Sequence, residues 1–427
     1  MAMDSVRRGA FINLGTRTLG VLLVLVITAI TARVGTEVQG AFALFTSVEG
    51  VLLALWSGFG IALARRVSHH GERPRALVAA TLCACIGLGA LAGVALGVLS
   101  RLGPEAYRPL WMLALAAPAL LVAPNLSGLW LGQGRMGPMA RLSLGPPVLT
   151  LLILGGVAVV AALNLPAVLG AWVGAKVLVG LASLWMVWRG DWWARPDFAA
   201  LRGEGRFVAA IGLSNLASLL NYRVGLLLVE RLVGLSATGV YSIAVVAAEL
   251  LWFVSGSLTQ AAYARIGAPD RAHAAATTLR VVHLGVAALV LVAPLLWLLA
   301  WLVVPALLGP AYRASLLPML LLLPGALVFG AASGFSAYFT NHAGQPRVSA
   351  QVATLSLVVN AGLSALLVPR MGLSGAALGA SLAYAVSVGV LAVRFARHAG
   401  LPLGQVFTPG RQLGADLRAL ASWRGGA

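Results

Sequence analysis

The sequence predicts an all-α, polytopic membrane protein of about twelve transmembrane helices, arranged as two parallel six-helix repeats. Three observations carry that reading. Hydrophobic residues make up 60% of the 427-residue chain and charged residues only 10%, against about a quarter charged in soluble domains, and the mean hydropathy is +0.93. Apolar runs long enough to cross roughly 30 Å of hydrocarbon recur along the whole chain. Arginines gather in alternate gaps between those runs. The recurrence argues against reading the first run as a secretory signal peptide.

Taken in order, the apolar runs lie near 9–33, 39–64, 76–100, 109–131, 142–163 and 167–188, then 207–231, 238–264, 280–304, 314–338, 348–368 and 373–394. The stretch 189–206 is the longest internal polar segment and divides the chain six plus six. The expected organisation is an N-terminal lobe over 1–188, a cytoplasmic linker over 189–206, a C-terminal lobe over 207–395, and a polar, basic cytoplasmic tail over 396–427. Tryptophans 185, 188, 192 and 193 cluster at the linker and suit an interfacial aromatic belt.

The net charge of +18 comes from 29 Arg and one Lys, Lys176, against 12 acids. It does not point to nucleic acid, because the arginines occupy short gaps on one side of the spans. Counting alternate gaps puts 21 arginines on the side of the termini and 6 on the other, with Arg17 and Arg223 left inside spans (21 + 6 + 2 = 29). By the positive-inside rule both termini are then cytoplasmic. Cys83 and Cys85, inside one run, are too few for a disulfide framework or a four-ligand zinc site. They read as small packing residues.

The halves repeat. Gly35 and Gly40 after span one match Gly234 and Gly239 after span seven, and Ser57-Gly58 matches Ser255-Gly256. The turn Gly-Pro-Glu-Ala-Tyr-Arg at 103–108 returns as Gly-Pro-Ala-Tyr-Arg at 309–313, and Gly132-Gln133-Gly134-Arg135 returns as Gly344-Gln345-Pro346-Arg347. Six crossings per half is an even number, so both halves run the same way, a repeat architecture known in transporters. Pro118, Pro124, Pro294, Pro318 and Pro324 fall within spans and are expected to kink them.

Ionisable side chains deep in spans are costly and face a partner or a cavity. Glu49 in span two and Glu249 in span eight, 200 residues on, hold matching places. With Lys176 and Arg223 they share a layer roughly 12–15 Å below the outer surface, counting about 1.5 Å per residue. Two readings are open. The charges lock helices together in pairs, with Arg17 and Arg223 as neighbours of the two acids. Alternatively, Arg17, Arg223, Lys176 and Asn221 line a polar, basic path for an anionic substrate, and Glu49 and Glu249 serve ion coupling. His283, His69 and His70 lack ligand spacing, no P-loop is present, and no motif calls for a cofactor or metal.

The run Asn13 to Arg17, the turn Arg33-Val34-Gly35 through Phe42, Arg65-Arg66, the turn 309–313, Asn341 through Arg347, and Val368 through Ala377 give the chain a family resemblance. It resembles the polysaccharide transport (Wzx-like) flippases of the multidrug/oligosaccharidyl-lipid/polysaccharide (MOP) exporter superfamily, over nearly its whole length to about residue 395. The resemblance implies two six-helix lobes in a V-shaped, MATE-like fold that works by alternating access. It implies that an undecaprenyl-diphosphate-linked, anionic oligosaccharide is turned across the bacterial inner membrane for surface polysaccharide (O-antigen) synthesis, and that the chain is not an enzyme. Partners implied are that lipid-linked sugar, membrane lipid, a coupling ion (H+ or Na+) and the polysaccharide polymerase machinery. Arg17 and Arg223 are the positions carried over to the diphosphate. Lipid II flippases of the same superfamily have two further helices that this chain lacks. The alternatives are a cation-coupled MATE-like drug antiporter, to which Glu49 and Glu249 point, and lipid II transport. A glycan polymerase or ligase would need a sizeable outer loop, and no outer loop here exceeds about ten residues.

Overall fold

The computed structural model describes residues 2–70 and 74–408, with side chains described from Gly15 onward. The histidine side chains at 69 and 70, and residues 409–427 of the expected tail, lie outside the described residues. Every element is helical: α1 Ala2–Val34, α2 Thr36–Trp56, α3 Gly58–His70, α4 Arg75–Leu102, α5 Leu110–Leu120, α6 Val122–Gly132, α7 Met136–Val160, α8 Leu165–Arg189 and α9 Phe198–Gly203. They continue as α10 Gly205–Leu232, α11 Leu235–Glu249, α12 Leu251–Ile266, α13 Arg271–Leu308, α14 Leu316–Ala331, α15 Ser333–Ala337, α16 Pro346–Met371, α17 Leu373–Ala399 and α18 Leu403–Phe407. Together they supply 12 segments among the described residues that are long and apolar enough to cross a membrane. Helices are the form such a chain must take, because hydrocarbon offers no partner to an open backbone N–H or C=O.

The observed spans outrun the apolar runs that announced them. The ninth run covers 280–304, but α13 continues from Arg271 to Leu308. An arginine stops an apolar run without stopping a helix, since its head reaches the lipid–water boundary while its backbone stays hydrogen-bonded. The surface, unlike that of a soluble protein, carries large apolar side chains in the spans. Leu91, Val94 and Leu102 of α4, Val159 and Val160 of α7, and Leu291 and Leu295 of α13 are exposed, as lipid-facing side chains should be. The buried helix faces carry Ala, Gly, Ser and Thr, and Ser47, Thr150, Ser183, Thr278 and Ser387 return their hydroxyls to backbone carbonyls four residues back.

Contacts divide the chain into two compact units, residues 1–219 and 220–427, the division falling within α10. Each unit repeats one pattern of packing. In the first, α4 lies on α5, α3 on α6, α7 on α8 and α5 on α8; in the second, α13 lies on α14, α12 on α15, α16 on α17 and α14 on α17. The short connections repeat too: Gly134 (φ 67) precedes α7 and Gly344 (φ 61) precedes α16. That equivalence moves the inner-turn match by two residues, setting Gly134, not Gly132, against Gly344.

Small residues let the helices touch backbone to backbone. A methyl group at Gly128 would sit 1.8 Å from the Gly60 carbonyl oxygen, so Gly128→Ala must push α3 and α6 apart. The second and fourth spans of each unit are broken, at Ser57 and Leu121 in one and at Leu250 and Ala332 in the other. Pro118 and Pro124 flank the break at Leu121, whereas α13 runs uninterrupted through Pro294 and α14 through Pro324; proline alone does not decide where these spans break. Freed backbone groups find side chains. Asn125 accepts the Gly60 N–H at 2.9 Å and donates to the Leu121 carbonyl at 2.9 Å, serving both breaks of the first unit. At the equivalent point of the second unit the contact runs between side chains instead, the Thr259 and Ser333 hydroxyls bonding at 2.7 Å.

The polar segment 189–206 is built into the first unit. Arg66 pairs with Glu204 at 2.8 Å and Arg75 with Asp191 at 2.5 Å, and the Asp197 N–H donates to the Ala76 carbonyl. Trp192 is buried against Trp130, edge to face at 6.4 Å. It therefore does not belong to the exposed aromatic belt expected from sequence, which keeps Trp185, Trp188 and Trp193.

Candidate functional site

In the first unit, α2 and α8 build the site around Glu49. Its side chain is 2% exposed and sits mid-helix on α2. Trp172 and Lys176 are four residues apart on α8, hence on one face, and both turn to the acid. The Trp172 indole N–H donates to one carboxylate oxygen at 2.7 Å, and the Lys176 ammonium pairs with the other. That ammonium also lies 4.0 Å from the centroid of the Trp172 ring, a cation–π contact, and Phe42 meets the same ring edge-on at 5.2 Å. The acid's two oxygens thus receive charged and neutral donors from one helix, the arrangement a buried charge needs. Toward the N-terminal end of α2, Thr31 on α1 hydrogen-bonds Gln39.

In the second unit, the matching acid has different company. Glu249 ends α11 beside the break at Leu250, and its side chain is 25% exposed. Its cation is Arg223 of α10, at 3.5 Å, within ion-pair range but beyond a good hydrogen bond. Four helices contribute an aromatic cluster beside it. Tyr222 and Trp252 lie 4.9 Å apart, and Phe329 lies 5.6 Å from Trp252 and 4.7 Å from Tyr384. A cavity of about 20 Å³, room for roughly one water, is lined by Tyr222, Tyr241, Glu249, Trp252, Asn360 and Tyr384 among others. Trp252 donates its indole N–H to the Ala326 carbonyl at 3.0 Å, which fixes its ring.

Asn221 precedes this cluster on α10 and is 1% exposed. Its backbone carbonyl accepts from Asn360 Nδ2 at 2.9 Å, and Asn360 Oδ1 accepts from Ser364 at 3.0 Å. The Asn221 side-chain amide is buried with no hydrogen-bond partner among the described residues. Leaving such a group unmet costs about 1–3 kcal/mol.

The structure brings the sequence candidates together as two couples, Glu49 with Lys176 and Glu249 with Arg223. Arg17 is exposed on α1. Trp172, Tyr222, Trp252, Phe329 and Tyr384 were not singled out in the sequence. The four-residue step from Trp172 to Lys176 is a usable signal for the first site. The aromatic cluster has none, because its members come from helices far apart in the chain. His283 bonds the Val406 carbonyl at 2.9 Å and so ties α18 to α13. No three His, Cys, Asp or Glu side chains gather as a metal site among the described residues, and Cys83 and Cys85 are free thiols.

No protein-family model matches the chain, and no curated protein matches its sequence. Solved structures do match its fold. An inward-facing multidrug-resistance MATE transporter of the MOP superfamily aligns with a TM-score of 0.74 at 16% identity, covering 91% of this chain and 96% of that one. The lipid II flippase MurJ, in an inward closed conformation, aligns with a TM-score of 0.69 at 13% identity, covering 98% and 93%. A MOP superfamily transporter from Pyrococcus furiosus, described as having a binding pocket of reverse polarity, aligns with a TM-score of 0.62 at 14% identity, covering 93% and 95%. At these identities the likeness establishes the fold: this is a multi-pass membrane chain with the MOP fold.

Proposed function

We propose that this chain is a flippase that turns undecaprenyl-diphosphate-linked oligosaccharide repeat units across the bacterial inner membrane by alternating access, supplying surface polysaccharide synthesis. The observation that carries the reading is the MOP fold over 98% of the chain with a lipid II flippase among its neighbours. The charges deep in its spans add support. Arg17, Lys176 and Arg223 are basic side chains within spans, of the sign that a diphosphate needs. Arg223 is held by its acid at 3.5 Å, loosely enough to exchange that partner for a phosphate, to which a guanidinium offers two parallel N–H donors. Lys176, with Glu49 already on its ammonium, is the weaker substrate contact. Both termini and the basic tail are placed in the cytoplasm by this reading, from the 21-to-6 arginine split.

Complementation of a deletion strain tests it. Arg17→Ala and Arg223→Ala, at wild-type membrane levels, should lose surface polysaccharide assembly; full assembly by both variants removes the basic-path mechanism. Accumulation of lipid II in the deletion strain, with surface polysaccharide intact, would transfer the assignment to lipid II.

A specific observation favours a second reading, a cation-coupled drug antiporter. Glu249 lies beside an aromatic-lined cavity, and aromatic faces with a carboxylate attract organic cations. In that reading Glu249 is the coupling acid for H+ or Na+. Unchanged drug susceptibility on overexpression of the wild type eliminates it, and lost resistance in Glu249→Gln would establish it.

A further inference from the structure

The first unit holds a cavity whose lining includes neither Glu49 nor its partners Trp172 and Lys176. It is a groove of about 610 Å³, within the roughly 300–1,000 Å³ range of pockets that hold small ligands. Trp56, Phe59, Val208, Phe198 and Leu213 are among its apolar walls, and Arg202 is the single charged residue lining it. The floor is rigid. The break between α2 and α3 is pressed onto α10, where a methyl group at Gly58 would lie 2.2 Å from the Val208 carbonyl oxygen, and one at Gly212 would lie 2.1 Å from that of Leu55. The rim helix α9 is held by the Arg66–Glu204 pair and by Asp197, which caps it and donates to the Ala76 carbonyl. Glu204, the acid nearest the rim in sequence, is buried and already neutralised by Arg66.

The groove has a direction. Arg202 is exposed at its charged end, among the arginines 195, 202 and 206 that mark the Arg-rich side of the chain. From Gly205 to Leu213 the lining follows α10 for eight residues, about 12 Å at 1.5 Å per residue, and becomes wholly apolar. Trp56 contributes an indole N–H that has no acceptor among the described residues. A cationic rim above an apolar trough fits a molecule with an anionic head and a hydrocarbon tail, and basic pockets on the arginine-rich face of membrane proteins hold anionic lipid head groups.

We propose that the groove between α9, the α2–α3 break and the first turns of α10 is a binding site for one anionic phospholipid, its phosphate head at Arg202 and one acyl chain along Phe59, Val208 and Leu213. The proposal is independent of which cargo the protein moves. It predicts that the chain retains acidic lipid from the leaflet on the arginine-rich side.

Native mass spectrometry of the delipidated full chain tests it, with dioleoyl-phosphatidylglycerol and dioleoyl-phosphatidylcholine as the added probes. The wild type should retain one phosphatidylglycerol about fivefold better than phosphatidylcholine, the worth of one arginine at an anionic head. Arg202→Gln should bring that ratio to about one. Ala209→Trp and, independently, Leu213→Trp fill the trough and should each lower retention of both lipids about tenfold, with helicity unchanged by circular dichroism. If either filling variant misfolds, the other decides. An unchanged lipid ratio in Arg202→Gln overturns the assignment of the head group, and unchanged retention in a folded filling variant overturns the groove. Displacement of the lipid by sn-glycerol 3-phosphate would make it a site for a free anion, and conversion of a dimer to a monomer by Ala209→Trp would give it to a second copy of the chain; each outcome overturns the lipid proposal.

Discussion

Glu49 and Glu249 stand 200 residues apart at matching points of the repeat, yet their surroundings have diverged. Glu49 is enclosed, with an indole N–H and an ammonium on its two oxygens, both donors coming from one turn of α8. Glu249 is a quarter exposed, borders a cavity and holds its arginine at 3.5 Å. The first arrangement satisfies the carboxylate and leaves it nothing to exchange. The second leaves both charges able to take another partner. The two halves share the position of the charge but not its partner, which comes from α8 in the first and α10 in the second. On the function proposed above, the first site is a lock between helices and the second is the working site.

The comparison can be broken by measurement. Its largest expected effect is Lys176→Met, which strands a buried carboxylate and should destabilise the purified protein by about 3–5 kcal/mol. Adding Glu49→Gln should recover most of that loss in thermal unfolding. If Lys176→Met unfolds like the wild type, the lock does not exist. Next comes Trp172→Phe, which keeps the ring under Lys176 but removes the 2.7 Å hydrogen bond to Glu49. A loss of about 1.5–3 kcal/mol is expected, the range for bonds to charged groups.

The second unit should respond in the opposite sense. Arg223→Ala breaks a longer, part-exposed pair, and its stability cost should be smaller than that of Lys176→Met while transport is lost. A large drop in melting temperature would make Arg223 another lock. Trp252→Phe removes the bond to Ala326 and should cost about 1 kcal/mol, read in the same unfolding assay. Asn221→Leu gives the smallest effect. Its amide has no partner to lose among the described residues, so stability should be unchanged or slightly raised, and any accompanying loss of transport would assign the amide to the substrate path.

Much of the fold is legible in the sequence. The twelve spans, the repeat and the matched acids follow from apolar run lengths and from paired turns such as 103–108 and 309–313. The breaks were not legible. Ser57 and Leu250 interrupt their spans with no proline at hand, while Pro294 interrupts nothing; at the first unit's breaks a side chain from another span, Asn125, bonds the Gly60 N–H and the Leu121 carbonyl, a contact that run lengths do not reveal. The site was half legible. Its six ionisable and amide positions stood out because polar atoms are rare in these spans, but Lys176 was a candidate for substrate and is found on Glu49. Trp192 stood in the sequence with the belt tryptophans and is buried on Trp130.

What the sequence determined by itself is one-dimensional: how many spans there are, roughly where each lies along the chain, and that the second six repeat the first. Lipid enforces this, because a segment of 20 or so apolar residues in hydrocarbon has no way to satisfy its backbone except as a helix. What only the tertiary structure decided is azimuthal, namely which face of each helix meets which neighbour. That depends on small residues such as Gly60 and Gly128 allowing two backbones to touch, and on the angle at which each broken span resumes. Through those contacts Glu49 received a lysine and an indole, and Glu249 an arginine it holds only at 3.5 Å.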